Sequence, residues 1–148
     1  MGWSGEITDV NPSTGVIRSN RRKICVAVRN TSGGALTPKK VVKFDIGTAG
    51  AAILGAVSAD NTTANAGFVG VVDEHLPSAG VSANDVFWVT VEGPTEVIAN
   101  GAVALGAAIS TVTTAGRIDD GGTLTIGHAL SAASTGGDEI LAVVDTQR

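Results

Sequence analysis

The stretch Val86-Phe87-Trp88-Val89-Thr90-Val91 decides the fold class of this chain. In an extended conformation its side chains alternate between two faces, with Val86, Trp88 and Thr90 on one face. The residues are aromatic or β-branched, and both faces are largely apolar, which is typical of a strand that is covered on both sides. We therefore expect this stretch to lie in the centre of a β-sheet.

Further short strands are predicted on both sides of it. Alternating apolar residues predict strands at 23–29 and 41–46, and the turn residues Gly93-Pro94 are followed by strand candidates at 96–99 and 102–110. Many short strands at this spacing are typical of an all-β barrel or sandwich.

Helix signals are weak. The best candidate spans 49–59, and Gly50 and Gly55 lower its helix propensity. Five aromatic residues in 148 imply a thin core, which is more secure when copies of the chain cover part of its surface. We predict an all-β fold, a small β-barrel, β-tulip-like or sandwich domain over residues 24–148, with an extended basic N-terminal arm over residues 1–23.

Two segments of the chain, 54–73 and 126–145, have similar sequences at an offset of 72 positions. Each is predicted to form a strand, a polar loop and a second strand, which suggests one β-hairpin unit used twice. The alternative is that a composition rich in Gly, Ala and Val produces the likeness. The matching pairs are Gly55/Gly127, Val71/Val143, Val72/Val144 and Asp73/Asp145.

Charge is unevenly distributed along the chain. Residues 1–43 hold eight of the ten basic residues and two of the fourteen acidic ones, so the remainder is strongly acidic. Such asymmetry predicts a basic arm that meets an acidic protein surface or nucleic acid. The acidic body, and the lack of aromatic residues among the basic ones, disfavour nucleic acid. The candidate partner-binding residues of the arm are Arg18, Arg21, Arg22 and Lys23, and a second basic group is Lys39, Lys40 and Lys43.

One segment, Asp73-Glu74-His75, carries residue types that bind metals. Adjacent strand residues point to opposite faces, so Asp73 and Glu74 are not expected to share a ligand. The preferred interpretation is that Asp73 and Asp145 end strands by accepting hydrogen bonds from turn amides. His128 is interpreted as a packed or surface histidine, because the matching position of the first segment is an alanine.

Signals for nucleotide or nucleophilic chemistry are missing from the sequence. It contains neither G-x-x-x-x-G-K-[ST] nor G-x-S-x-G, so we expect no cofactor and no catalytic residues. Cys25 is the one cysteine, and its apolar strand favours a packed thiol over a reactive one. No signal peptide and no apolar run of ~20 residues is found, so we expect synthesis in the cytoplasm and no membrane partner.

The chain resembles the small β-rich capsid decoration (cement) proteins of tailed bacteriophages across about two-thirds of its length, and the residues that carry the resemblance lie in its C-terminal half. The resemblance rests on the order of a strand ending in Gly, a turn before G-x-V, a T-x-x-G turn, an I-G-x-A strand and a final apolar strand. These features occupy residues 87–93, 99–103, 114–118, 126–130 and 140–144.

The resemblance implies a protein without enzymatic activity that binds the outer surface of the expanded head as a homotrimer. Its partner would be the major capsid protein, its location the capsid surface of the virion, and its role to stabilise contacts between neighbouring capsid subunits. Two alternatives stay open. One is a head-fibre or tail-appendage module that recognises carbohydrate or a host surface, and the other is a hydrolase with an unrecognised site.

Overall fold

The computed structural model describes residues 17–19, 23–46, 54–58, 69–122 and 124–146. These residues form ten β-strands and no helix, and so none that is long and apolar enough to cross a membrane. The strands are β1 (Ile17–Ser19), β2 (Ile24–Asn30), β3 (Val41–Ile46), β4 (Leu54–Ser58), β5 (Val69–Val72), β6 (Val86–Ile98), β7 (Ala108–Thr111), β8 (Ile118–Asp119), β9 (Thr125–Ala129) and β10 (Glu139–Asp145).

Five strands close into a barrel in the order β2, β4, β3, β5, β6, and β6 pairs back with β2. Closure removes the sheet edges that would otherwise be open to other strands. The β2–β4 pair is parallel and the other pairs in the barrel are antiparallel. The prediction of a small all-β barrel is confirmed.

Strand β6 belongs to two sheets. Its first half pairs with β2 and β5 in the barrel, and its second half pairs with β10. From there the order β10, β9, β7, β8 continues as a second sheet. The central position predicted for residues 86–91 is confirmed, since all six are buried.

Two apolar cores follow from this arrangement. The first fills the barrel and includes Phe44, Phe87 and Val89, with Leu36 and Leu76 contributed by the loops. The second lies between the inner face of the second sheet and the outer side of β3 and β5. Its buried members include Val41, Val69, Val71, Val97, Ile109, Ile126, Ile140 and Val144.

The predicted turn at Gly93-Pro94 is wrong, because the chain continues there as a strand. Pro94 lies opposite Val143 of β10. The amides of Glu96 and Ile98 point away from β10, to the Glu74 carboxylate and the Lys39 carbonyl. Amides two residues apart point the same way, so the missing N–H of Pro94 falls on the side that has no partner strand. The predicted strands at 86–91 and 96–99 are therefore one continuous strand.

The hairpin prediction is confirmed for 126–145 and wrong for 54–73. Strands β9 and β10 pair directly, whereas β3 lies between β4 and β5. The glycines shared by the two segments are explained by close approach. A Cβ on Gly127 would lie 2.0 Å from the carbonyl oxygen of Val143, and one on Gly55 would lie 2.7 Å from the side chain of Thr31. Tight packing, rather than a common hairpin, requires glycine at both positions.

Two smaller predictions also need correction. Within the helix candidate 49–59, residues 54–58 form strand β4, and the others lie outside the described residues. The strand predicted over 102–110 is reduced to β7, preceded by a single bridge between Val103 and Ala133 and a turn. Of the predicted arm, Ile17–Ser19 pairs with β2, while residues 1–16 and 20–22 lie outside the described residues.

Candidate functional site

The four basic residues predicted to bind a partner fall in different surroundings. Arg18 lies in β1 opposite Cys25, and Arg21 and Arg22 lie outside the described residues. Lys23 immediately precedes β2 and is 5 % exposed. Its Nζ lies 3.4 Å from Oδ2 of Asp73 and 3.3 Å from Oε1 of Glu74. Lys23 therefore forms ion pairs within the chain, at the point where the arm joins the barrel.

Asp73 follows the end of β5 and is fully buried. Its Oδ1 accepts a hydrogen bond of 2.9 Å from the backbone N–H of His75. This confirms the prediction that Asp73 ends a strand by accepting a turn amide. Its other oxygen faces Lys23, so the buried carboxylate is compensated by both a cation and an amide, as a buried charge requires.

The orientation expected for Glu74 is wrong. We expected the side chains of Asp73 and Glu74 to point to opposite faces, and so not to bind one metal ion, but both carboxylates reach Nζ of Lys23. The rule of opposite faces holds within a strand, and β5 ends at Val72. The second oxygen of Glu74 accepts a hydrogen bond of 2.5 Å from the backbone N–H of Glu96. The Lys23 cluster (Lys23, Asp73 and Glu74) thus links the end of the arm to the second half of β6.

Cys25 adjoins this cluster. Its Sγ lies 3.5 Å from Oγ1 of Thr90 and 3.8 Å from Oδ2 of Asp73. Burial is the main cause that raises the pKa of the Cys25 thiol to about 12. A thiol reacts through its thiolate, so this sulfur is chemically inert near neutral pH. The packed-thiol interpretation agrees with both its burial and its protonation.

Of the other predicted candidates, His75 adjoins the Lys23 cluster and His128 does not. Oε1 of Glu74 lies 3.5 Å from Nε2 of His75, and His128 is exposed on β9. Across the residues that the structure describes, no group of three or more His, Cys, Asp or Glu side chains is arranged to hold a metal ion. The contacts of the Lys23 cluster are made within the chain.

Lys39, of the second basic group, also pairs within the chain. Its Nζ lies 2.8 Å from Oε2 of Glu96 and makes a shorter contact to Oε2 of Glu139. Partial burial alone would lower the pKa of Lys39, but the hydrogen bonds that its ammonium group donates to Glu139 and Glu96 together outweigh this effect and raise the pKa. Lys40 and Lys43 are half-buried.

The sequence argument missed a surface on the outer face of the second sheet. Leu141 and Val143 alternate on β10 with inward-facing Ile140, Ala142 and Val144, and are 42 % and 41 % exposed. Leu130, 46 % exposed, donates its backbone N–H to the carbonyl of Leu141 at 2.8 Å. We call this surface the acidic outer face. It consists of Leu130, Leu141 and Val143 together with the carboxylates of Glu92, Glu96 and Glu139.

A signal for this face existed in the sequence. Residues 139–145 read Glu-Ile-Leu-Ala-Val-Val-Asp, so both faces of the strand carry aliphatic side chains. Such a strand is expected to be covered on both sides. In the described part of the chain one of those sides has no layer over it, and that difference becomes visible only once the topology is known.

Comparison with solved structures finds three chains that match this one. No family model matches the chain, and no curated protein matches it. The chain is similar to a solved structure described as the head fiber gp8.5 N base in bacteriophage phi29, with a TM-score of 0.53 and 16 % sequence identity. The match covers 82 % of this chain and 95 % of the other. At this identity the likeness establishes a shared fold.

Proposed function

We propose that this chain is a structural protein of a bacteriophage head, bound to the outer surface of the capsid. The observation that carries the proposal is the fold likeness to the base of a phage head fibre, over 95 % of that chain. It agrees with the resemblance to phage decoration proteins that the C-terminal half of the sequence carries. A fold alone does not assign a function, so the support comes from the two observations together.

In this proposal the partner is the major capsid protein, and the chain acts as a homotrimer without enzymatic activity or a cofactor. Neither a membrane nor nucleic acid is a partner. The buried, protonated Cys25 thiol and the internally paired Lys23 and Asp73 support a scaffolding role over a chemical one. Several weak contacts made by one trimer add up to firm attachment, because each bound subunit raises the local concentration of the others.

Two roles on the head surface can be distinguished. A decoration protein stabilises contacts between capsid subunits, as the sequence resemblance implies. The base of a head fibre anchors an appendage instead, and the structural match to such a base favours this second candidate. Both roles need a surface that binds the shell, and they differ in what binding does to the shell.

The test is sedimentation of the purified chain with expanded, empty heads of the phage that carries its gene. We expect the chain to pellet with the heads to a fixed saturating ratio. A chain that stays in the supernatant at micromolar concentration contradicts the proposal. The temperature at which the heads disrupt separates the two roles. A decoration protein raises it, whereas a fibre base binds and leaves it unchanged.

A further inference from the structure

We propose that the acidic outer face is the surface through which one copy of this chain packs against the next copy, head to tail. The inference rests on the proposed function, which expects a protein that assembles with copies of itself. It names the surface that builds the oligomer, and it follows from three observations on the second sheet.

The first observation is where the exposed aliphatic side chains lie. Among the described residues the exposed large hydrophobic side chains are Leu105, Leu130, Leu141 and Val143. Three belong to the acidic outer face. The fourth sits in a turn whose next residue, Gly106, donates its N–H to the carbonyl of Ala129 at 2.8 Å, beside Leu130. Scattered exposed leucines are ordinary, but a contiguous group marks an interaction surface.

The second observation is that neighbouring strands of the sheet place further residues on the same face as Leu141 and Val143. Cross-strand partners place their side chains on the same face of a sheet. Val143 lies opposite Pro94 on one side and His128 on the other, and Leu141 lies opposite Glu96. The apolar group therefore extends from Pro94 of β6 across β10 to Leu130, which directly follows β9. The opposite face of the same strands is already buried against the barrel.

The third observation is the charge of the acidic outer face, which indicates what kind of surface packs against it. Glu92, Glu96 and Glu139 flank the aliphatic residues, and Lys39 is shared between two of them. Two such faces brought together would place carboxylates against carboxylates, which is unfavourable. A second copy packed in this symmetric way is therefore disfavoured, and the face needs a partner surface of opposite charge.

The chain carries such a surface elsewhere. Eight of the ten basic residues lie in residues 1–43. Of these, Arg29 and Lys43 occupy outward positions of β2 and β3, on either side of β4, with the carboxylate of Asp45 near them. None of these three strands pairs with β9 or β10. Packing the acidic outer face of one copy on the basic barrel side of the next pairs opposite charges, and a head-to-tail contact of this kind forms a closed ring when the rotation between successive copies closes.

The experiment is light scattering coupled to gel filtration on the full chain, at micromolar concentration. We expect the wild-type chain to be oligomeric. The double variant Leu141→Gln/Val143→Thr should weaken association by about tenfold or more, because it removes the apolar part of the contact. The control Ala79→Gln adds the same amide side chain at an exposed loop position away from this sheet, and should leave association unchanged.

A second variant distinguishes the two packing modes and changes only an exposed charge. Glu92→Lys should weaken association if the contact is head to tail, because it puts a lysine against the basic side of the next copy. In a symmetric face-to-face contact the same change would remove repulsion and strengthen association, and that result would overturn the proposal. Thermal unfolding of each variant shows whether it is folded.

The remaining outcomes separate this inference from the proposed function. A wild-type chain that is monomeric, or a double variant that assembles like wild type, overturns the inference whatever the heads show. A double variant that assembles normally but no longer sediments with heads places the capsid, rather than a second copy, on this face. That result overturns the inference and leaves the head-surface role standing.

Discussion

At the residue scale, Lys23 shows how burial changes what a charged side chain can do. The sequence places it in a run of basic residues suited to contacting a partner. The structure places its ammonium group between two carboxylates, 5 % exposed. The order of residues along the chain identifies the charge, but which carboxylates surround it depends on a contact fifty residues away, so the sequence argument could not assign its role.

The Lys23 cluster should be important for stability. Lys23→Met leaves the fully buried Asp73 without its cation, and removing one partner of a buried ion pair costs about 3 kcal/mol. We expect the free energy of unfolding, measured in urea, to fall by that amount. The control Lys43→Met removes a half-buried lysine of β3 and should cost far less. Equal losses in the two variants would contradict the structural role of the cluster.

Cys25 gives the fold a specific dependence on alkaline pH. Folding raises the thiol pKa from 9.0 to about 12, so the folded state favours the protonated form. The stabilisation is complete below the unfolded pKa and is lost as the pH rises from there towards the folded pKa. Between about pH 8 and about pH 10, wild type should lose roughly 1 kcal/mol of stability relative to Cys25→Ala. Urea unfolding of both proteins at each pH measures this difference, and an unchanged difference would show that the thiol ionises freely in the folded protein.

At the element scale, β6 shows which features of a strand a sequence pattern predicts and which it does not. The alternation in residues 86–91 predicted a central strand correctly, because largely apolar side chains on both faces of a strand indicate that both faces are buried. Gly93-Pro94 reads as a turn, yet the strand continues because Pro94 sits where its missing amide faces no strand. Likewise the sequence of 54–73 resembles that of 126–145. Residues 126–145 form a hairpin, whereas β3 lies between the two strands of 54–73. Pairing partners are long-range, so local sequence does not specify them.

Successive backbone amides in the second half of β6 point alternately towards β10 and away from it, and substitutions to and from proline test this alternation. Pro94→Ala should change stability by less than about 1 kcal/mol, since the new amide faces away from β10. Thr95 lies opposite Ala142, and its amide points towards β10, so Thr95→Pro should cost about 3 kcal/mol or prevent folding. Thr95→Ala isolates the loss of the side chain. A Thr95→Pro variant as stable as Thr95→Ala would show that the β6–β10 pairing is not as described.

At the scale of the whole molecule, the fold class and the charge asymmetry could be predicted from the sequence, while the surface that the fold presents could not. Leu141 and Val143 read as part of a final apolar strand. Their exposure follows from the second sheet lying at the outside of the barrel with one face uncovered in the described chain. A surface formed by β6, β9 and β10 together has no local signature, since its members come from three separate parts of the sequence.

The basic arm should contribute to attachment at this scale. Removing two positive charges with Arg21→Ser/Arg22→Ser should weaken binding to heads several-fold, because attraction to an acidic shell depends on those charges. The control Lys40→Ser/Arg117→Ser removes the same net charge outside the arm and should have a smaller effect. Binding curves at low and moderate salt give the comparison. Equal affinities for the arm variant and wild type would remove the arm from the docking surface.

The central claim, a structural role on the outside of a phage head, is tested most directly by electron cryomicroscopy of expanded, empty heads incubated with the purified chain. The account predicts additional density at regular positions on the outer surface, into which the barrel and its attached second sheet fit. Heads that remain identical to undecorated ones at saturating concentrations of the folded chain would contradict it.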